Sequence, residues 1–172
     1  MTMTLDVRAG LAMLAALCLS APVGASAADE AVSESDRFFL DEAAGACRNG
    51  DFAAFLWPFA NSEAVRARYG AGAAKDFPIV MIDYSYVTSA SARLFEAKDG
   101  DPRQLVYVQV DFRSSPDGSE RADWVPGRFE PGEGDGPGTL IEKTGPGGSL
   151  RFRRTADCWR LAEDIRNPAA AR

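Results

Sequence analysis

Three groups of side chains in this sequence have the types that proton transfer or ligand binding requires. Asp83, Tyr84 and Tyr86 fall together in an apolar run, and a carboxylate beside phenolic hydroxyls is a base-and-donor set suited to moving a proton next to a carbonyl. In an extended strand Asp83 faces away from Tyr84 and Tyr86, so one shared cavity would need a bulge. The plainer reading makes the tyrosines packing residues with solvated hydroxyls and Asp83 a surface group. Near the C-terminus Trp159, Leu161 and Ile165 alternate with Arg160, Asp164 and Arg166, which leaves Glu163 on the apolar side. A carboxylate there is desolvated, so it either pairs with an arginine or has a raised pKa; the plainer reading is an edge-exposed or Arg-paired glutamate. Trp57, Trp124 and Trp159 could stack a sugar ring or an apolar ligand, although periodicity explains most of them as core. Trp124, next to a Gly/Pro-rich stretch, is the one expected to be partly exposed.

Other patterns carry less. Glu130, Glu133 and Asp135 lie in a glycine-rich stretch, but their spacing matches neither an EF-hand nor a glycine-aspartate array, so no metal or other cofactor is expected. The same glycines are interleaved with acids and no helix follows them, so they make no phosphate cradle. The chain contains no histidine. That removes Ser-His-Asp hydrolysis, Cys-His nucleophiles and nearly every usual zinc site. With 19 Lys and Arg against 25 Asp and Glu, the net charge of -6 has the wrong sign for a nucleic-acid partner. An apolar content of 46% with 26% charged residues is that of a globular chain.

Residues 1–27 read as a secretory signal peptide: Arg8, an apolar run over 11–19, then a small-residue stretch ending Ala25-Ser26-Ala27. The run is too short for a transmembrane segment, and none follows it. Leu17 precedes Cys18 where a lipoprotein signal needs a small residue, which disfavours a lipid anchor. Residues 28–172 then form a single domain, exported to the periplasm or secreted. Cleavage removes Cys18 and leaves Cys47 and Cys158, whose only intramolecular pairing is with each other. A bridge is expected, worth about 4 to 5 kcal/mol in the chain-entropy model; two buried free thiols are the alternative.

These groups need elements to position them. Residues 33–49 have a polar front, apolar positions at Phe39, Leu40, Ala43, Ala46 and Cys47, and Gly50 behind, which predicts a capped helix with Cys47 on the buried face. Asp51 caps a second helix in which Phe52, Phe55, Leu56 and Phe59 follow helical spacing and which Pro58 must kink or end. A third covers 62–69. The pattern then changes to period two, predicting long strands over 78–88 and 104–112 with a weaker strand over 92–98 between them. A turn at 115–118 leads to a short strand through Trp124 and Val125. Residues 126–138 are so rich in Gly and Pro that an exposed loop is expected throughout. Strands over 139–143, 149–154 and 158–166 follow. Helices first and consecutive strands afterwards mean α+β: N-terminal helices packed on a curved antiparallel sheet.

This order of elements, together with Gly50-Asp51-Phe52-Ala53-Ala54-Phe55 and Cys158-Trp159-Arg160-Leu161 opening the last strand, resembles the nuclear transport factor 2-like (cystatin-like) superfamily, in an exported form. The resemblance implies a cone with a pocket between sheet and helices. It also implies isomerases, dehydratases and hydrolases alongside non-catalytic binding domains, of which the dehydratase type relies on a pocket histidine that this chain lacks. The expected function is a non-enzymatic binding or accessory domain that uses the pocket and the adjoining loop, with Tyr84, Tyr86, Trp124 and Glu163 as pocket residues. Its ligand would be a small apolar molecule, an envelope component or a protein. The alternatives are a small pocket enzyme with Glu163 or Asp83 as base, and an inhibitor or immunity-type partner of a basic secreted hydrolase. A homodimer through the outer sheet face, near Leu105 and Tyr107, is the oligomer this family implies.

Overall fold

The computed structural model describes residues 32–70, 76–130 and 138–167; the expected signal and residues 131–137 of the expected loop lie outside them. Helix α1 (Glu34–Asn49) begins where the Ser33 hydroxyl accepts the Asp36 N–H. It ends at Gly50, whose φ of 68° is the left-handed conformation glycine takes without a Cβ penalty, and whose N–H donates to the carbonyls of Ala46 and Cys47. Asp51 caps α2 (Phe52–Asn61) by accepting the Ala54 N–H. Pro58 does not break α2: it sits in the last turn, and the helix closes three residues later. Ser62 both ends α2 and caps α3 (Glu63–Tyr69) by accepting the Val65 N–H.

The region between helices and sheet departs from the expected pattern in three places. Residues 78–88 are not one strand but a hairpin, β1 (Ile79–Ile82) and β2 (Ser85–Thr88), turning at Asp83 and Tyr84 with φ of 45° and 61°. Residues 92–98 belong to helix α4 (Ser89–Ala97), not a strand. The Thr88 hydroxyl accepts the Ser91 N–H to start α4, and the Ala, Arg, Leu and Glu positions that follow favour helix. Strand β3 (Val108–Ser114) starts four residues later than expected, because Pro102–Gln104 form a single 3₁₀ turn.

The main sheet is antiparallel and open, ordered β3, β4 (Glu120–Glu130), β6 (Gly148–Arg154), β7 (Trp159–Arg166), with β5 (Thr139–Lys143) paired to β4. Strand β4 continues to Glu130, so 126–130 are not loop: the Gly/Pro content there is tolerated because Gly127–Glu130 pair with β5. A Cβ at Gly127 would overlap the Leu140 side chain and the Glu142 carbonyl, which is why this pairing needs glycine. The β2–α4 end is tied to the sheet by the bridge between Val87 and Tyr107 and the bond from Thr88 N–H to the Val106 carbonyl, 3.0 Å.

Helices pack on one face of the sheet through aromatic rings. Phe52 and Phe59 each lie 5.1 Å from Phe152 of β6, and Phe55 lies 5.5 Å from Trp159 of β7. Phe55, Leu56, Phe59, Leu150 and Phe152 are wholly buried. The expected disulfide is present: Cys47 at the end of α1 bonds Cys158 just before β7, with Cα atoms 5.0 Å apart. Beside it Arg154 donates to the Cys47 carbonyl at 3.0 Å and lies 4.1 Å from the Trp159 ring centre.

Candidate functional site

At the β2–α4 end of the helix-facing side of the sheet, a cleft of about 630 Å³ opens to solvent. Its walls come from Pro78 before β1, Val106 before β3, Trp124 and Pro126 of β4, and Pro146 of the β5–β6 turn. Three prolines, a valine and an indole make these walls apolar and stiff, as suits a preformed small-molecule cleft. Polar groups reach it at the rim: Arg93 of α4, Arg166 of β7 and Asp76. Arg166 binds Asp164 at 2.8 Å and also donates to the Asp76 carbonyl, which ties the end of β7 to the segment before β1. The hydrogen bond that Arg166 donates to Asp164, outweighing partial burial, raises the Arg166 pKa and keeps its charge fixed. Arg93 is exposed and has no ion pair among the described residues. It is the cation available to an incoming group.

Trp124 is 9% exposed, so the expectation that it would be the solvent-reaching tryptophan is corrected: its ring is core on one side and cleft wall on the other. The ring lies against Gly148, where a Cβ would come within 2.7 Å of the indole nitrogen. That nitrogen is buried and makes no hydrogen bond among the described residues.

The other expected pocket residues are dispersed. Glu163 does not project into the concave side. Arg151 pairs with Glu163 and Phe152 with Leu161, so Ala162 is an extra residue that shifts the alternation by one. Beyond this bulge Glu163 and Ile165 face outward and Asp164 and Arg166 face the side of Leu150 and Gly148. Glu163 is accordingly exposed and paired with Arg151 at 3.3 Å. The same outer face carries Asp123 between Arg121 at 2.6 Å and Arg113 at 3.4 Å. Tyr86 packs against the core, and burial raises its phenol pKa well above the usual 10. Tyr84 and Asp83 form the hairpin tip, where Tyr84 is 91% exposed. Asp83 and Glu163 are thus both exposed to solvent.

Sequence reasoning missed Arg93, Arg166, Val106 and the three prolines. Arg93 was hidden by reading α4 as a strand, and Arg166 by the unseen bulge; Thr88 followed by Ser91 at capping spacing was the available signal for α4. Among the described residues no cluster of three or more metal-binding side chains occurs, and no helix is long and apolar enough to cross a membrane. Comparison of the chain with family models, curated proteins and solved structures finds no match.

Proposed function

We propose that this chain is an exported, non-enzymatic binding domain of nuclear transport factor 2-like architecture, and that its cleft takes a small ligand with an apolar body and an acidic group. The observation that carries the reading is the cleft itself: stiff walls from Pro78, Val106, Trp124, Pro126 and Pro146, with Arg93 exposed at the rim. Burial of hydrocarbon against those walls supplies the affinity and Arg93 the preference for an anionic head. Export is supported by the leader-like residues 1–27 and by the disulfide, which persists in an oxidising compartment.

The test uses the disulfide-intact protein purified from the periplasm, with dodecanoate and dodecanol as probes and tryptophan fluorescence or calorimetry as readout. Dodecanoate should bind about tenfold more tightly than dodecanol, Arg93→Ala should erase that difference, and Val106→Asp should weaken both. Failure of either probe to bind the folded protein, with nothing apolar co-purifying by mass spectrometry, overturns the reading.

A further inference from the structure

A second cleft lies at the tip of the β1–β2 hairpin, outside the site described above. It measures about 410 Å³ and is lined by Trp57 of α2, Met81 of β1, and Asp83 and Tyr84 at the hairpin tip. We infer that this cleft binds a neutral oligosaccharide, with Trp57 and Tyr84 as stacking surfaces and Asp83 as hydroxyl acceptor.

The tip residues do not suit their turn. A two-residue turn with both central φ positive favours Asn-Gly, because an L side chain in that region crowds its own backbone. Here the positions hold Asp83 at 45° and Tyr84 at 61°. A bulky aromatic residue held in such a conformation belongs among the outliers that cluster at ligand sites. Nothing inside the fold offsets it. Tyr84 is 91% exposed and makes no hydrogen bond or ring contact among the described residues.

Trp57 is fixed in advance. Trp57 is held edge-on by Phe38 at 6.1 Å and Phe39 at 5.7 Å between ring centres. The hairpin is held to the same helix by Asn61, whose side-chain amide donates to the Met81 carbonyl at 2.7 Å and accepts the Met81 N–H at 2.9 Å. Both aromatic residues are therefore referred to one rigid element, α2. Preorganisation of this kind reduces the ordering cost of binding.

Chemistry selects the ligand. The C–H faces of a pyranose ring pack on aromatic planes, and its hydroxyls donate to a carboxylate. Among the described residues the cleft has two aromatic residues, a thioether and one carboxylate, with no cation lining it. An acidic glycan or a phosphate would meet Asp83 unopposed, so the sugar is uncharged.

Chitotetraose, cellotetraose and maltotetraose should be titrated into the intact protein, against tetragalacturonate as the charged counterpart, with tryptophan fluorescence as readout. At least one neutral tetrasaccharide should bind and tetragalacturonate should not. Tyr84→Gly should lose about tenfold or more in affinity while its melting temperature stays level or rises, because glycine relaxes the turn. Tyr84→Phe should stay within about threefold of the parent. Arg93→Ala, in the other cleft, should leave sugar binding unchanged. Absence of binding by every neutral oligosaccharide, or parental affinity in Tyr84→Gly, overturns the inference.

Discussion

Tyr86 pairs with Met81 across the hairpin and packs against the core, so its phenol is expensive to ionise. Burial raises the folded pKa above the unfolded value of about 10, and the sign of the linkage follows. The folded chain keeps this proton where the unfolded chain has lost it, so stability is intact below pH about 10 and declines as pH rises beyond it. An alkaline titration read by tyrosinate absorbance should show Tyr86 ionising only with unfolding, a late step that Tyr86→Phe should remove. Gly148 is the second sensitive position. A Cβ there would meet the Ile165 carbonyl at 2.5 Å as well as the Trp124 indole, and backbone cannot yield as a side chain can. Gly148→Ala should therefore cost about 2 kcal/mol by denaturant melt. Single residues were also the least legible in the sequence. Tyr84 and Glu163 looked like pocket candidates through strand alternation, which holds only while a strand remains regular. A turn made from Asp-Tyr and an extra residue at Ala162 carry no local signature strong enough to overrule it.

The bulge in β7 makes a prediction at the scale of the element. Unbroken alternation would bury Ile165 alongside Leu161; the observed register buries Leu161 at 4% exposure and leaves Ile165 at 48%. Leu161→Ala should cost about 3 kcal/mol, whereas Ile165→Ser should stay within about 0.5 kcal/mol. Equal losses would contradict the shifted register. The first three helices were legible because capping chemistry marks their ends: Ser33, Asp51 and Ser62 each accept an N–H in the first turn, and Gly50 supplies the left-handed exit. Helix α4 was not. Its nine residues bury only Ser89, Ser91 and Ala92, too short and too small an apolar face to display helical periodicity, and the flanking β-branched runs suggested strand. The far half of β4 escaped notice because Pro126 and Gly127 discourage strand locally, while pairing with β5 decides the outcome.

For the molecule as a whole, the fold class followed from the order of helices and strands, and the covalent tie from the presence of just two cysteines after residue 27. The cleft did not follow. Its walls come from four places far apart in the chain, proline, valine and tryptophan side chains whose sequence context gives no hint of convergence. The disulfide closes a loop of 111 residues. Removing it in a Cys47→Ser, Cys158→Ser variant should lower stability by about 4 kcal/mol, and the melting temperature by roughly 10 °C, by calorimetry. The bond also joins the last turn of α1 to the residue just before β7, so hairpin, α4 and most of the sheet lie between its ends. A protease that severs one peptide bond anywhere in that interval leaves two fragments still tethered. Such nicked copies should migrate as a single band without reductant and as two with it, and the damage would remain silent until a thiol arrives.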